Sequence, residues 1–163
     1  MKNRCQYAYV FLLLLLSAQS SAFAEESINN ALSPTSKIKQ NLSILGLTES
    51  WTSTDGVERQ SVEKGTIYLN NEYYFAILSL EWKNETTLQA SVMDSLALCT
   101  KLGIAVTGNH SSPTFKAFGS LTKEALRQPD ARATNNITPY EYHVVISNQS
   151  ATQTLLECGV KRL

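Results

Sequence analysis

The chain has 163 residues, of which 14 are basic and 14 are acidic, so its formal net charge is zero. This balance argues against nucleic acid or an anionic membrane surface as a partner, because both select a strongly basic footprint. Glycine and proline are sparse, with 7 and 4 residues, and no block of like charges occurs, which argues against a largely disordered chain.

The N-terminus has the three parts of a secretory signal peptide in their usual order. Lys2 and Arg4 form the basic region, residues 8–16 the apolar region, and residues 22–24 an Ala-Phe-Ala cleavage site. The apolar region is far shorter than the roughly 20 residues that a membrane span needs. We therefore predict that residues 1–24 are a cleavable signal peptide, with an uncleaved membrane anchor as the alternative.

Cleavage would leave residues 25–163, which have the length of one ordinary domain. No stretch within them matches the length of a membrane span, so we expect no stable membrane insertion after cleavage. The predicted location is the periplasm of a Gram-negative bacterium, or secretion from it. Residues 25–50 are polar and weakly periodic, with Pro34 and Gly46 as breaks, which predicts one or two short helices loosely attached to the domain.

The clearest strand signal in the chain predicts a hairpin that pairs residues 66–69 with residues 73–82. Alternation along the second strand separates its side chains into two sets. One set shares a face and is mostly apolar: Tyr74, Ala76, Leu78, Leu80 and Trp82. The opposite face carries Tyr73, Phe75 and Ile77, so both faces are apolar over the first half of the strand.

Apolar residues at helical spacing then predict the main helix over residues 87–102. Thr86 and Gln89 fit a capping box at its start, and Gly103 fits the C′ position after its end. We expect residues 104–107 to form a short buried strand. Beyond a loop, a second short helix is predicted from Ser120 to Gln128, where Pro129 stops it.

The C-terminal segment predicts a second hairpin, residues 140–147 with residues 152–160, with Cys158 on its apolar face. Cys99 lies on the apolar stripe of the main helix. These are the two cysteines that remain after signal cleavage, and in an oxidising compartment such a pair predicts a disulfide. Two free buried thiols are the alternative. The predicted class is α+β, an antiparallel sheet of four to six strands with the 87–102 helix on one face.

Motifs that would indicate catalysis, metal binding or a cofactor are lacking, and we predict no cofactor. His110, in a loop with Ser111 and Ser112, is the best candidate for a catalytic base, although a polar turn explains the same residues. His143 falls in the middle of a strand on its more polar face. We expect it to be solvated or paired across the sheet rather than to be a ligand.

One helix can cover only one face of a sheet, so the stripe formed by Tyr73, Phe75 and Ile77 needs another cover or is exposed. The candidates are the N-terminal segment, a second subunit or a partner, and uncharged tyrosine-rich patches are typical of binding surfaces. The sequence therefore favours an exported, non-enzymatic interaction protein that binds another protein or self-associates. Such a protein could be an inhibitor, an immunity protein, a chaperone or an accessory of an envelope complex. A small hydrolase centred on the His110 loop and a small-ligand carrier with a pocket between sheet and helix are the alternatives.

Overall fold

The computed structural model describes residues 34–81, 84–150 and 153–163, and Pro34–Leu163 forms one compact unit. The predicted signal peptide, residues 1–24, lies outside the described residues.

The described part of the chain contains three helices and seven strands. In chain order they are α1 (Pro34–Ile44), β1 (Trp51–Thr54), β2 (Val57–Val62), β3 (Gly65–Leu69), β4 (Tyr73–Glu81), α2 (Glu85–Thr107), α3 (Ser111–Ala125), β5 (Arg132–Ile137), β6 (Tyr140–Asn148) and β7 (Gln153–Arg162). The strands form one antiparallel sheet in the order β1-β2-β3-β4-β7-β6-β5. The predicted α+β class is confirmed.

The sheet has seven strands, so the predicted four to six is wrong. The strands outside the two predicted hairpins, β1, β2 and β5, have polar sequences without clean alternation. β1 and β5 are the two edges and leave most of their residues exposed, so no regular apolar pattern is needed to form them. In β2 the one buried residue is Gln60, whose Nε2 donates to the carbonyl oxygens of Leu47 (3.1 Å) and Glu49 (2.7 Å).

Both predicted hairpins are present, as β3–β4 and β6–β7. At the first turn Asn70 Oδ1 accepts hydrogen bonds from the backbone N–H groups of Glu72 (3.1 Å) and Tyr73 (2.7 Å). Because Asn side chains readily bond to nearby backbone in this way, the Asn-Asn pair is suited to reverse the chain here.

Helix α2 begins earlier and ends later than predicted. Its capping box is formed by Asn84 and Thr87, and its C-cap is Gly108, in the left-handed conformation at φ 71°. The predicted strand over residues 104–107 is therefore wrong. Gly103 lies inside the helix instead of after its end. The position requires glycine because a Cβ there would come within 2.6 Å of Thr114 Cγ2 and 2.9 Å of a Phe118 ring carbon. It allows α3 to pack closely on α2.

Helix α3 likewise begins before the predicted position, at Ser111, and takes in Pro113. Proline is tolerated in the first turn because its missing N–H would have no partner within the helix there. The predicted loop over residues 108–113 is therefore limited to residues 108–110, and the predicted helix start at Ser120 is wrong.

The core lies between the three helices and one face of the sheet. From α1, Ile38 and Leu42 are buried in it, and Asn41 Nδ2 donates to the backbone oxygen of Ala105 at 2.9 Å. Pro34 begins this helix instead of interrupting it, which is a favourable position for proline.

A disulfide joins Cys99 of α2 to Cys158 of β7, as predicted. Both cysteines are fully buried, so the bond links helix to sheet inside the core. Helix α2 is also the one described helix that is long and apolar enough to cross a membrane by length and composition, so the expectation that no stretch after residue 24 has the length of a span is wrong. Its buried residues, among them Leu96, Cys99 and Leu102, pack in the core, which accounts for its apolar character.

Candidate functional site

The sheet has one face covered by helices and one that no described helix covers, which we call the open face. Along β4, fully buried residues alternate with half-buried ones. Tyr74, Ala76, Leu78 and Leu80 share one face, as predicted, and are buried in the core, while Trp82 lies outside the described residues. Tyr73, Phe75 and Ile77 have the opposite parity, lie on the open face and are half-buried.

Cross-strand register places one row of open-face residues side by side over five strands. From β2 to β6 the row runs Arg59, Tyr68, Phe75, Gly159 and His143. The three middle members belong to different strands that meet only in the folded sheet. The row therefore brings Phe75 of the predicted stripe together with residues of four other strands.

The aromatic rings on this face form two short stacks. Tyr68 and Phe75 have ring centroids 4.9 Å apart and planes 12° apart, while Tyr73 and His143 are 5.1 Å and 14° apart. The first spacing equals the distance between neighbouring strands, so those two rings stack directly across the β3–β4 pair.

An arginine lies against the tyrosine of each stack. Arg59 Cζ is 5.7 Å from the centre of the Tyr68 ring, and Arg132 Cζ is 5.6 Å from the centre of the Tyr73 ring. Both distances are within the range of a cation–π contact. The aromatic patch thus has a positive charge at two of its margins.

Gly159 leaves the room in which these rings pack. A Cβ at this position would lie 2.4 Å from His143 Cε1, 2.8 Å from Phe75 Cβ and 2.5 Å from the backbone oxygen of Tyr74. Any larger residue would push the rings apart or distort β4. The alternation that puts Cys158 in the core also puts Gly159 on the open face, so the sequence itself predicts the face on which this glycine lies.

Tyr73 belongs to a polar cluster around one buried histidine. His143 is fully buried, and its Nε2 is 2.8 Å from Tyr73 Oη and 3.2 Å from Glu157 Oε1. Tyr73 Oη donates to Glu157 at 3.1 Å, and Arg132 Nη2 donates to Tyr73 Oη and, at 3.2 Å, to Glu157 Oε1. Three strands and the edge strand β5 are joined by these contacts.

The cluster shifts the pKa of two of its members. The hydrogen bond from His143 is the main cause that lowers the pKa of Glu157, with help from Tyr73 and the positive charge of Arg132. Burial, and secondarily the negative charge of Glu157, raises the pKa of Tyr73 to about 12. The tyrosine is therefore protonated and the glutamate ionised at neutral pH.

His143 is not solvated, so that part of its prediction is wrong, while pairing across the sheet is what the structure has. The ring is covered by Tyr73, and its Nδ1 has no hydrogen-bond partner among the described residues. The sequence does not predict the burial of His143, because that burial depends on Gly159 of the neighbouring strand β7. The partners Glu157 and Arg132 were missed because their contacts depend on register.

His110 does not form the arrangement that a hydrolase would need. It is the exposed N-cap residue of α3, and its backbone oxygen accepts hydrogen bonds from the Thr114 N–H (3.4 Å) and Oγ1 (3.0 Å). Within the described part of the chain its side chain has neither an acid nor a hydroxyl partner. The same part of the chain contains no group of three or more His, Cys, Asp or Glu residues that could hold a metal ion.

Fold and site together define an α+β protein with a disulfide-linked helical layer on one sheet face and an aromatic patch on the other. The chain matches no known protein family, no curated protein and no solved structure.

Proposed function

We propose that this chain is an exported, non-enzymatic interaction protein that binds another protein through the open face of its sheet. The observation that supports the proposal is the half-buried aromatic patch on a face that none of the described helices covers. The patch consists of Tyr68, Tyr73, Phe75, Ile77, Val145 and Leu155.

The composition of the patch supports a protein as the partner. Tyrosine, phenylalanine and arginine are enriched at protein interfaces, and tyrosine and arginine are among the residues whose removal weakens binding most. Charged groups lie around the apolar centre, as in the polar rim of such interfaces.

Order within the patch supports binding with little rearrangement. Tyr73 is held by hydrogen bonds to His143 and Glu157, and Phe75 is held between two tyrosine rings. Side chains that are already ordered lose less conformational entropy when a partner binds.

Site-specific photo-crosslinking in the exporting cell tests the proposal. A photoreactive phenylalanine analogue placed at Tyr68 should capture one protein, whereas the analogue placed at Phe115, a 39% exposed residue of α3, should not. A crosslinked dimer of the chain itself would show that the partner is a second copy. Equal labelling from both positions, or none from Tyr68 in folded and exported protein, would contradict the proposal.

A further inference from the structure

Strand β5 forms one edge of the sheet. It pairs with β6, no described strand lies on its other side, and all of its residues except Ala133 are exposed. In an antiparallel pair, alternate residues of a strand direct their N–H and C=O groups to the partner, so the other residues of β5 direct theirs away from β6. Such a row of unpaired groups is a template for another strand.

Strand β5 lacks the features that usually protect a sheet edge. It has six residues, none of them lysine or proline, and its register with β6 runs without a bulge. Its one charged residue, Arg132, is turned over the sheet by hydrogen bonds to Tyr73 and Glu157 of inner strands. The opposite edge, β1, has four residues, and shortness itself protects an edge. Of the two edges, β5 is therefore the one that is suited to pairing.

The sequence of β5 is complementary to a second copy of itself in antiparallel pairing. A twofold axis at Thr134 places this residue opposite its own counterpart and Arg132 opposite Asn136 of the other copy. Threonine pairs stabilise neighbouring strands, and no like charges lie opposite each other in this register. Ile137, which is 38% exposed, then lies close to Ala131 just before the other β5. An identical strand is therefore a matched partner for this edge.

The same axis joins the open faces of the two copies. Thr134 pairs with His143 and Thr52 pairs with Arg59, so the row of open-face residues extends to both edges of the sheet. With Thr134 opposite its counterpart, this row continues from one copy into the other. Opposite residues of an antiparallel pair lie on the same side of the sheet, so the two open faces form one larger surface.

We infer that the chain forms a twofold-symmetric dimer by antiparallel pairing of its β5 strands, centred on Thr134. The pairing satisfies edge groups that the single chain leaves to solvent. One six-residue strand pair is a small interface, so the dimer should be weak, with a dissociation constant in the micromolar range. Thr134 lies outside the aromatic patch, so failure of this inference leaves the expected capture from Tyr68 unaffected.

Sedimentation of the exported protein over a range of concentrations tests the dimer. The unmodified chain should be a dimer at high micromolar concentration and should dissociate on dilution. Thr134→Lys places two like charges opposite each other and should raise the dissociation constant at least about tenfold. The matched control is Thr52→Lys, at the other end of the same row on β1, which should leave the constant unchanged. A monomer at every concentration, or equal effects of the two variants, would overturn the inference.

Cysteine variants test the register of the pairing. Opposite residues of paired strands have Cβ atoms about 5 Å apart, whereas the two copies of Asn136 would be roughly 13 Å apart along the strands. Thr134→Cys should therefore form a covalent dimer on mild oxidation, and Asn136→Cys and Thr52→Cys should not. The native pair, Cys99 and Cys158, is buried in its own disulfide and does not contribute.

Covalent dimers from Thr52→Cys, or more of them from Asn136→Cys than from Thr134→Cys, would contradict the pairing of β5 about Thr134. Thermal unfolding shows whether each variant is folded. If Thr134→Lys is not, the cysteine variants decide the question.

Discussion

At the scale of single residues, the open face is specified by side chains that touch across strands. Phe75 illustrates this, because its ring contacts two neighbouring rings although no described helix lies over it. It is neither a core residue nor a freely exposed one. Its contribution to stability should therefore be intermediate.

We expect Phe75→Glu to lower the free energy of unfolding by about 1–2 kcal/mol, because two aromatic contacts are lost. The neighbouring change Ala76→Glu should prevent folding, since Ala76 is fully buried and the new charge would have no partner. Urea unfolding of both variants measures the difference. Crosslinking from Tyr68 should disappear in Phe75→Glu if the open face is the interface. Complete unfolding of Phe75→Glu would show that the patch is internal core.

Gly159 gives a second prediction at this scale. Gly159→Ala should destabilise the protein by about 2 kcal/mol or more, because the added methyl group overlaps His143 and the backbone of β4. The matched control is Gly119→Ala in α3, where nothing lies within 4 Å of an added Cβ. That variant should be about 0.5–1 kcal/mol more stable than the parent. If thermal unfolding shows equal effects, the packing role of Gly159 is wrong.

The Glu157 carboxylate should make the free energy of unfolding depend on pH in the acidic range. Its pKa is lowered in the folded protein, so it stabilises the fold at pH values above its unfolded value of 4.5. That contribution is lost as the pH falls through the lower folded value. Glu157→Gln should therefore flatten the decline of stability below about pH 4.5. Glu141→Gln, which lies on the same face of the sheet in the neighbouring strand β6, serves as the control, and equal flattening in both would contradict the assignment.

At the scale of elements, the disulfide connects the main helix to the centre of the sheet. Cys99 and Cys158 are 59 residues apart in sequence, so their bond restricts a long loop in the unfolded chain. The Cys99→Ser, Cys158→Ser variant should lose about 2–5 kcal/mol of stability. Thiol labelling of the native protein should detect no free cysteine. Quantitative labelling without denaturant would show that the bond does not form in the cell.

The helices show where a local signal has two meanings. Glycine is favoured both at the C′ position of a helix and where two helices approach closely. Gly103 serves the second purpose and Gly108 the first. The sequence around Gly103 cannot separate the two, because the deciding contacts come from Thr114 and Phe118 of another helix.

At the scale of the whole molecule, export remains a prediction from the N-terminal sequence. N-terminal sequencing of the exported protein should begin at Glu25, because Ala22 and Ala24 have the small side chains that cleavage sites require. Replacement of Ala24 by a bulky residue should block processing, whereas Phe23→Leu should not. A mature chain that still carries residues 1–24 would contradict both the cleavage and the predicted compartment.

The sequence by itself determined the α+β class, the two hairpins, the face on which each β4 residue lies and the disulfide pair. These features follow from alternation, turn residues and a cysteine count. All three can be read without knowing which strands become neighbours. The tertiary structure decided the edge strands, the full length of α2 and α3, the burial of His143 and its contacts with Tyr73 and Glu157. Each of these depends on which strands become neighbours and in what register, since residues far apart in sequence then determine how a side chain is packed, paired or left exposed.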